Sequence, residues 1–322
     1  MRIMKRFLGK TVKTIVMPAA VYLLFLLLCF QRFSNWNSVY TIFLQSLIPT
    51  ITAYAVAYGM VCGLMDFTIG ARITISALAG GLLSRSLGLA GLIIGCFGSA
   101  LVMAAVTGLL NNLLKIPSLV LTMGLAMIYE ILGARMAGNY GFVQAPRELT
   151  FLGSAPHIIL LWVLSAVVFY FVYNRTKFSY HLQAVGSNEP VARSAGIPVE
   201  TVKLKAFLYS SFFVGMSAML SICQSGSVGA QTSLGSITVI FKPMISIMLA
   251  LVIQNICDLT AGIFVSQLIL TIFFIGLIAM GMPDTSQNVV LGFFLLVVMI
   301  VFNNLDRIRG LRRHKRTGRV KT

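Results

Sequence analysis

Charged side chains are scarce in this sequence, and acidic ones are scarcer still. Of 322 residues only 10% are charged, 8 are Asp or Glu, and 58% are hydrophobic, with a mean hydropathy of +0.91. A chain of this size with so few charges cannot coat a water-facing surface, and this excludes a soluble globular protein.

Side chains and motifs that carry out chemistry are also few. The three histidines form no HExxH motif, and the five cysteines show neither CxxC nor metal-ligand spacing, which is typical of small buried hydrophobes. No GxxxxGK[ST] pattern occurs, so the chain does not cradle ATP phosphates by that device. The sequence therefore predicts no catalytic residue, no metal site and no cofactor, and it assigns any ATP hydrolysis to another subunit.

What the sequence does contain is a series of long apolar runs. A membrane-spanning helix needs about 20 mostly apolar residues, and breaks at polar, Gly or Pro residues divide the longer runs. The third run follows a break at Asp66 and is either a full span or partly re-entrant. The sequence predicts an all-α polytopic bundle of about ten spans: Thr14 to Phe30, Tyr40 to Cys62, Ile73 to Leu87, Ala90 to Leu110, Ser118 to Ala137, His157 to Tyr173, Ala206 to Cys223, Ile237 to Gln254, Leu259 to Met280 and Val289 to Phe302.

The basic residues, 25 in all, indicate the orientation of these spans. They concentrate at both ends of the chain and in one central segment, and positive charge is retained on the cytoplasmic side. We therefore expect a cytoplasmic basic N-terminus (residues 1–13), a transmembrane domain (14–303) and a cytoplasmic basic tail (304–322). The tail is explained by contact with anionic membrane lipid, without nucleic acid.

One connection between spans, residues 174–205, is long and polar and is predicted to be cytoplasmic. Within it, Glu189 to Ala195 has helix-forming composition, Asn188 is a suitable N-cap, and Gly196 with Pro198 provides a stop. The pattern predicts a short helix at the membrane surface.

Two stretches of the sequence match known motifs. Gln183 to Leu220 reads "QAVGSNEPVARSAGIPVETVKLKAFLYSSFFVGMSAML" and looks like a segment of form GxNxxAAxxxGI, and Gly63 to Ile75 reads "GLMDFTIGARITI" and is similar to GGIDLSVG. Through these stretches the chain resembles the permeases of bacterial ATP-binding cassette (ABC) importers of the ribose, xylose and galactose type, in which the first segment is cytoplasmic. The glycine-rich stretch that usually follows the seventh span is missing, so the chain resembles a divergent member.

The resemblance implies a transport subunit of the bacterial plasma (inner) membrane, not an enzyme. It implies a pathway for a small polar solute, with a monosaccharide as the expected cargo. The implied partners are cytoplasmic ABC ATPase subunits, a second copy of the permease or a homologous one, and an extracytoplasmic solute-binding protein. The residues expected to form the segment that couples to the ATPase are Gly186, Asn188, Glu189, Ala192, Gly196 and Ile197.

Ionisable residues within spans are costly and are candidates for function. Glu130 lies well inside the fifth span, where it can accept sugar hydroxyls, contact a neighbouring helix or reach the outer interface. Asp66, with Thr68, either caps a broken helix or lines the solute path, and Phe67 beside them can stack on a sugar. We therefore name Asp66, Phe67, Thr68 and Glu130 as candidate pathway residues.

Two other classes of transporter share this hydropathy. An ion-coupled secondary transporter would not need the connection 174–205 and would bury ionisable groups at mid-membrane. ABC permeases for nucleosides or amino acids differ from a sugar permease only in cargo, which the sequence leaves open.

Overall fold

The computed structural model describes residues 16–254 and 257–303, and most of them are helical. The predicted basic ends of the chain lie outside these residues. In chain order the helices are α1 (Val16–Leu28), α2 (Phe30–Phe33), α3 (Trp36–Val61), α4 (Thr68–Leu114), α5 (Ser118–Ala137), α6 (His157–Arg175), α7 (Lys177–Ser187), α8 (Glu189–Ser194), α9 (Val199–Ser225), α10 (Thr238–Ile253), α11 (Leu259–Ala279) and α12 (Asp284–Asn303).

Short elements join some of these helices. Two strands, β1 (Phe142–Gln144) and β2 (Ser227–Gly229), form an antiparallel ribbon in which Val143 faces Val228. The ribbon ties the segment that follows α5 to the end of α9. The 3-10 helices of the described residues are Gly138–Tyr140, Arg147–Gly153 and Gly235–Ile237.

Seven helices of the described residues are long and apolar enough to cross a membrane. They are Trp36–Val61, Thr68–Leu114, Ser118–Tyr140, His157–Arg175, Val199–Ser225, Gly235–Ile253 and Leu259–Ala279. This confirms the prediction of an all-α, polytopic membrane protein.

Helix α4, with 47 residues, is bent back on itself at Gly88. A straight helix of that length would run about 70 Å, more than twice the hydrocarbon thickness of a bilayer. Gly88 has φ 55° and ψ −134°, a conformation that favours glycine. The two arms then run antiparallel, since Gly80 lies against Gly95 and Leu83 lies against Gly91. The sequence predicts a break between Leu87 and Ala90, and the kink falls there.

The described chain forms two compact units, residues 36–244 and the residues on either side of them. In the first unit α9 is the central helix, packed most extensively against α4 and also against α3. Its apolar core includes an aromatic cluster in which the rings of Tyr54 and Phe169 stack at 4.5 Å, and Phe213 meets both edge-on. In the second unit Phe25 packs directly on Gly276 and on the ring of Phe273.

Candidate functional site

The short helix α8 lies between α7 and α9, and residues at each end of it cap and terminate it. The Asn188 side chain accepts a hydrogen bond from the backbone N–H of Val191 at 3.1 Å, as an N-cap does. At the other end Gly196 has φ 79°, and Ile197 N donates to Ala192 O at 3.1 Å. This is the glycine-terminated turn that ends many helices. The predicted helix in the connection 174–205, its cap and its stop are therefore confirmed.

Ion pairs brace α8 against the start of α9. Glu189 contacts Lys203 at 2.8 Å and Arg193 at 3.5 Å, and Arg193 contacts Glu200 at 2.7 Å. The hydrogen bond to Glu200 raises the pKa of Arg193 above its usual value. Each of these partly exposed pairs contributes little alone, but a network of them fixes geometry. These ion pairs hold α8 beside the start of α9 in this structure.

The six residues predicted to couple to an ATPase divide by their contacts. Ala192 is buried, and Gly186 packs on the backbone at the end of α3. Asn188 and Gly196 close the ends of α8, Glu189 forms the ion pairs, and Ile197 is half-buried beside the closing turn. Gly186, Asn188 and Gly196 are exposed all the same, and the large apolar residue on the outward surface of α8 is Val191, with 62% of its surface exposed.

Replacing Gly186 with alanine is expected to destabilise this segment. The added Cβ would lie 1.8 Å from the Val61 carbonyl oxygen and 2.9 Å from its carbon, so the end of α7 must move away from α3. Overpacking of this kind costs about 1–3 kcal/mol or more. The apparent Tm of the purified protein in detergent should fall. Gly124→Ala is the control, because its Cβ meets nothing within 4 Å and alanine favours a helix by about 1 kcal/mol. Equal melting of Gly186→Ala and the parent protein would contradict the contact.

A polar groove of about 630 Å³ lies beside α8, between the start of α9 and the connection from α4 to α5. Charged side chains from α8 and α9, including Glu189 and Lys203, form one wall. Asn111, Asn112 and Lys115 form the facing wall, and Asn112 Nδ2 donates to Glu200 O at 2.9 Å. The start of α9, which is ion-paired to α8, is therefore in direct contact with the end of α4.

A second cluster of polar groups is buried at the start of α4. Asp66 Oδ1 accepts hydrogen bonds from the backbone N–H and the hydroxyl of Thr68, the first residue of α4. Its other oxygen, Oδ2, pairs with Arg72 Nη2 at 3.1 Å, and the same nitrogen donates to Ser210 Oγ on α9 at 3.1 Å. The cluster thus joins α4 to α9 through charged and hydroxyl groups.

Glu130 is also buried, and both of its oxygens bind the turn that precedes α10. Oε2 accepts from Leu234 N at 2.8 Å, and Oε1 accepts from Ser236 N at 2.9 Å and from the Ser236 hydroxyl at 2.6 Å. That turn packs on α4, where a Cβ at Gly70 would lie 2.0 Å from Ser236 O. Glu130 therefore contacts a neighbouring element, and its role as a pathway residue stays a prediction.

Sequence reasoning missed Arg72 and Ser210. Arg72 falls just outside the predicted third span and was assigned no role, yet its side chain is fully buried. The available signal is the spacing of Thr68, Arg72 and Ser76, which recur every four residues and so share one helix face. Phe67, the remaining candidate pathway residue, is half-buried. No metal-ligand cluster occurs among the described residues.

Comparison with known proteins gives one family match and several distant relatives. The family described as branched-chain amino acid transport system / permease component matches residues 38–300. The xylose/arabinose import permease of Sulfolobus acidocaldarius is 28% identical over 134 residues, which cover 39% of this chain and 36% of that protein. The D-allose transport system permease of Escherichia coli is 22% identical over 216 residues, 64% and 65% of the two chains.

A third relative is the tyrosine transport system permease of Clostridioides difficile, 25% identical over 288 residues that cover 84% of this chain and 92% of that protein. The matches to the Sulfolobus and Escherichia proteins span less than two thirds of either relative. No solved structure shows significant similarity to the chain.

Proposed function

Because the chain belongs to the family of permease components of branched-chain amino acid transport systems, we propose that it is the membrane-spanning subunit of an ABC importer. In this proposal it forms the pathway for a small polar solute, and ATP is hydrolysed by separate cytoplasmic subunits. The supporting observation is α8, a short helix that is capped at both ends and braced against α9 by ion pairs. A rigid helix of this kind can transmit a push from an ATPase into the helix that follows.

The proposed topology has ten spans and both termini in the cytoplasm of a bacterial cell. Seven helices are long and apolar enough to cross. The two antiparallel arms of α4 count as two spans, and the proposal adds α1 and α12, which are not among those seven, as the remaining two. An even number of spans brings both basic ends to the same side, in agreement with the retention of positive charge in the cytoplasm. The braced connection around α8 then lies on that side as well.

The proposed cargo is a neutral monosaccharide. Two of the relatives described above are named for sugars and one for tyrosine, so an amino acid is the second candidate. The proposed partners are the ATPase subunits, a second permease chain and an extracytoplasmic solute-binding protein, because a single permease chain supplies neither ATP chemistry nor solute capture. An ion-coupled transporter would have no use for a braced helix outside the spans.

We expect Val191→Asp to abolish the retention of an ABC ATPase during purification. Val191 lies on the outward surface of α8, and a charge placed in the apolar part of an interface must be desolvated on binding. The measurement is co-purification of the ATPase in detergent after co-expression, together with ATP-driven uptake in proteoliposomes. The matched control is Tyr140→Asp, which changes another exposed apolar residue, 84% exposed, outside the α7–α9 segment.

Two results would contradict the proposal. Full retention of the ATPase by Val191→Asp, or equal loss in Val191→Asp and Tyr140→Asp, would exclude the outward surface of α8 as the docking element. Uptake of solute by proteoliposomes that contain no ATPase would favour the ion-coupled class instead.

A further inference from the structure

One face of α4 carries polar side chains on three successive helical turns. Thr68, Arg72 and Ser76 are spaced four residues apart, so they lie one above the other on the same face. All three are fully buried. Small polar residues at such positions commonly serve close helix packing in membranes, so the spacing alone does not define a site.

The hydrogen bonds of this face provide the second observation, because they leave several donors unused. Arg72 Nη2 donates to Asp66 and to Ser210, but Arg72 Nε and Nη1 have no hydrogen-bond partner among the described residues. The Ser76 hydroxyl likewise has none within that part of the chain. A buried donor without an acceptor costs about 1–3 kcal/mol, and buried arginines within membrane proteins are rare and are associated with transport pathways.

We propose that Arg72 and Ser76 form a binding subsite for the solute and that the subsite takes the acceptor oxygens of a neutral, hydroxyl-bearing molecule. This inference rests on the proposed function of the chain as a permease. Arg72 would donate from Nε and Nη1, and Ser76 would donate from its hydroxyl one helical turn further along α4. Sugar hydroxyls suit this role, because each oxygen can accept from the protein and donate elsewhere.

The charges at the site favour a neutral ligand over an anionic one. The Asp66 carboxylate is 3.1 Å from the Arg72 guanidinium, so the pair carries no net charge. A carboxylate or phosphate of a solute would have to approach Asp66 in a medium of low dielectric constant, where like charges repel strongly. Hydroxyl oxygens meet no such repulsion.

Access to the subsite requires movement of α9. The space beside Asp66 and Ser210 is too small to admit a water molecule, so the described conformation is closed there. Ser210 lies on α9, which begins at Val199, just after α8 and its closing turn. A displacement of α8 is therefore passed directly to the helix that carries Ser210, and this separates Ser210 from Arg72. Binding at the subsite and motion of the braced helix are thereby linked.

The test is thiol accessibility at Ser76 in the complex with its ATPase. In a background without the five native cysteines, Ser76→Cys is treated with a small polar methanethiosulfonate reagent in proteoliposomes, with and without ATP turnover. Labelling should be at least about tenfold faster during turnover. A buried thiol reacts only in the fraction of molecules whose site is open, and turnover raises that fraction. The control is Ala71→Cys, which is equally buried but packs in an apolar cluster with Leu121, Leu125 and Ala126. Its labelling should not accelerate.

The chemical class of the ligand is identified by which added solutes protect Ser76→Cys from labelling. D-xylose, D-allose and D-galactose are the uncharged probes, and L-tyrosine, a zwitterion, is the probe that carries a carboxylate. At least one sugar should slow the labelling of Ser76→Cys, and tyrosine should not. Arg72→Lys keeps a positive charge for Asp66 but lacks the guanidinium donors, so it should retain ATP-dependent labelling and lose protection by the sugar.

The outcomes separate this inference from the proposed function. Failure of an ATPase to assemble with the chain, or of the complex to hydrolyse ATP, appears before any labelling and overturns the proposed function. In a working complex, Ser76→Cys that is never labelled faster than Ala71→Cys overturns the subsite. Labelling that no sugar slows, or that only tyrosine slows, overturns its assignment to a neutral hydroxyl-bearing solute.

Discussion

Replacing Asp66 with alanine is expected to lower the free energy of unfolding by about 3–5 kcal/mol, the loss observed when one partner of a buried ion pair is removed. The Asp66–Arg72 pair is almost completely enclosed, with side-chain exposures of 3% and 0%. Without Asp66 the guanidinium is left with the Ser210 hydroxyl as its hydrogen-bond partner among the described residues and with no counter-charge in the cluster. A fully buried arginine cannot extend its charged end to the membrane surface as arginines near helix ends do.

The double variant Asp66→Ala/Arg72→Met distinguishes an unpaired charge from a general loss of packing. Removing both charges eliminates the desolvation problem, so the double variant should be more stable than Asp66→Ala alone. The measurement is the apparent Tm of the four proteins of the cycle in one detergent. Losses that simply add, with the double variant the least stable, would show that the two side chains do not act as a pair. The Thr68 N–H loses its acceptor in both alanine variants, so that loss cancels in the comparison.

The local features of the fold could be predicted because their causes lie within a few residues. The break in α4 falls at Gly88, where only glycine readily adopts the required backbone angles. Helix α8 begins after Asn188 and ends before Gly196, as the cap and stop signals indicate. Long apolar runs likewise predict membrane helices, since bilayer thickness fixes the length that they need.

The polar contacts inside the bundle could not be predicted, because their partners are distant in the sequence. Ser210 lies 138 residues from Arg72, and Ser236 lies 106 residues from Glu130. Hydropathy treats Arg72 as the edge of a span and gives no sign that its charge is enclosed. Only the folded structure shows that Asp66 both accepts from Thr68 at the start of α4 and pairs with this arginine.

In the segment predicted to couple to an ATPase, the residues that match the family pattern are not the ones that give α8 its exposed apolar surface. The residues that carry the family resemblance include Gly186 and Ala192, and both are packed against neighbouring backbone or side chains. They build the segment, whereas Val191 is the large apolar residue that α8 presents outward. The residues of the family pattern therefore shape α8, and the proposed contact with an ATPase falls on Val191 between them. The assignment of the six predicted residues to ATPase coupling stays a prediction.

Replacing Glu130 with alanine is expected to release the turn that leads into α10. Three donors, Leu234 N, Ser236 N and the Ser236 hydroxyl, would lose their acceptor at once. Hydrogen bonds inside membrane proteins contribute about 0.6 kcal/mol on average and up to about 1.7 kcal/mol. The expected loss is therefore about 2–4 kcal/mol, larger than for a typical single substitution.

Glu130→Gln separates hydrogen bonding from the mere presence of a side chain at this position. Its amide oxygen can replace Oε1 and accept from Ser236, but its NH₂ group would then face Leu234 N–H, and two donors cannot bond. The glutamine variant should accordingly lie between alanine and the parent protein in apparent Tm. Glu148→Ala is the control, because this carboxylate is exposed and should shift stability by less than about 0.5 kcal/mol.

Hydrogen exchange in the turn that precedes α10 provides a second measurement on Glu130→Ala. Ser236 lies against Gly70 on α4, so release of the turn should expose the backbone N–H groups of Leu234 and Ser236 to solvent. Hydrogen exchange of peptides that cover residues 230–240 should be faster in Glu130→Ala than in Glu148→Ala, while exchange in α8 stays unchanged. A loss of Tm without faster exchange in this turn would mean that Glu130 stabilises the bundle by contacts other than its three hydrogen bonds.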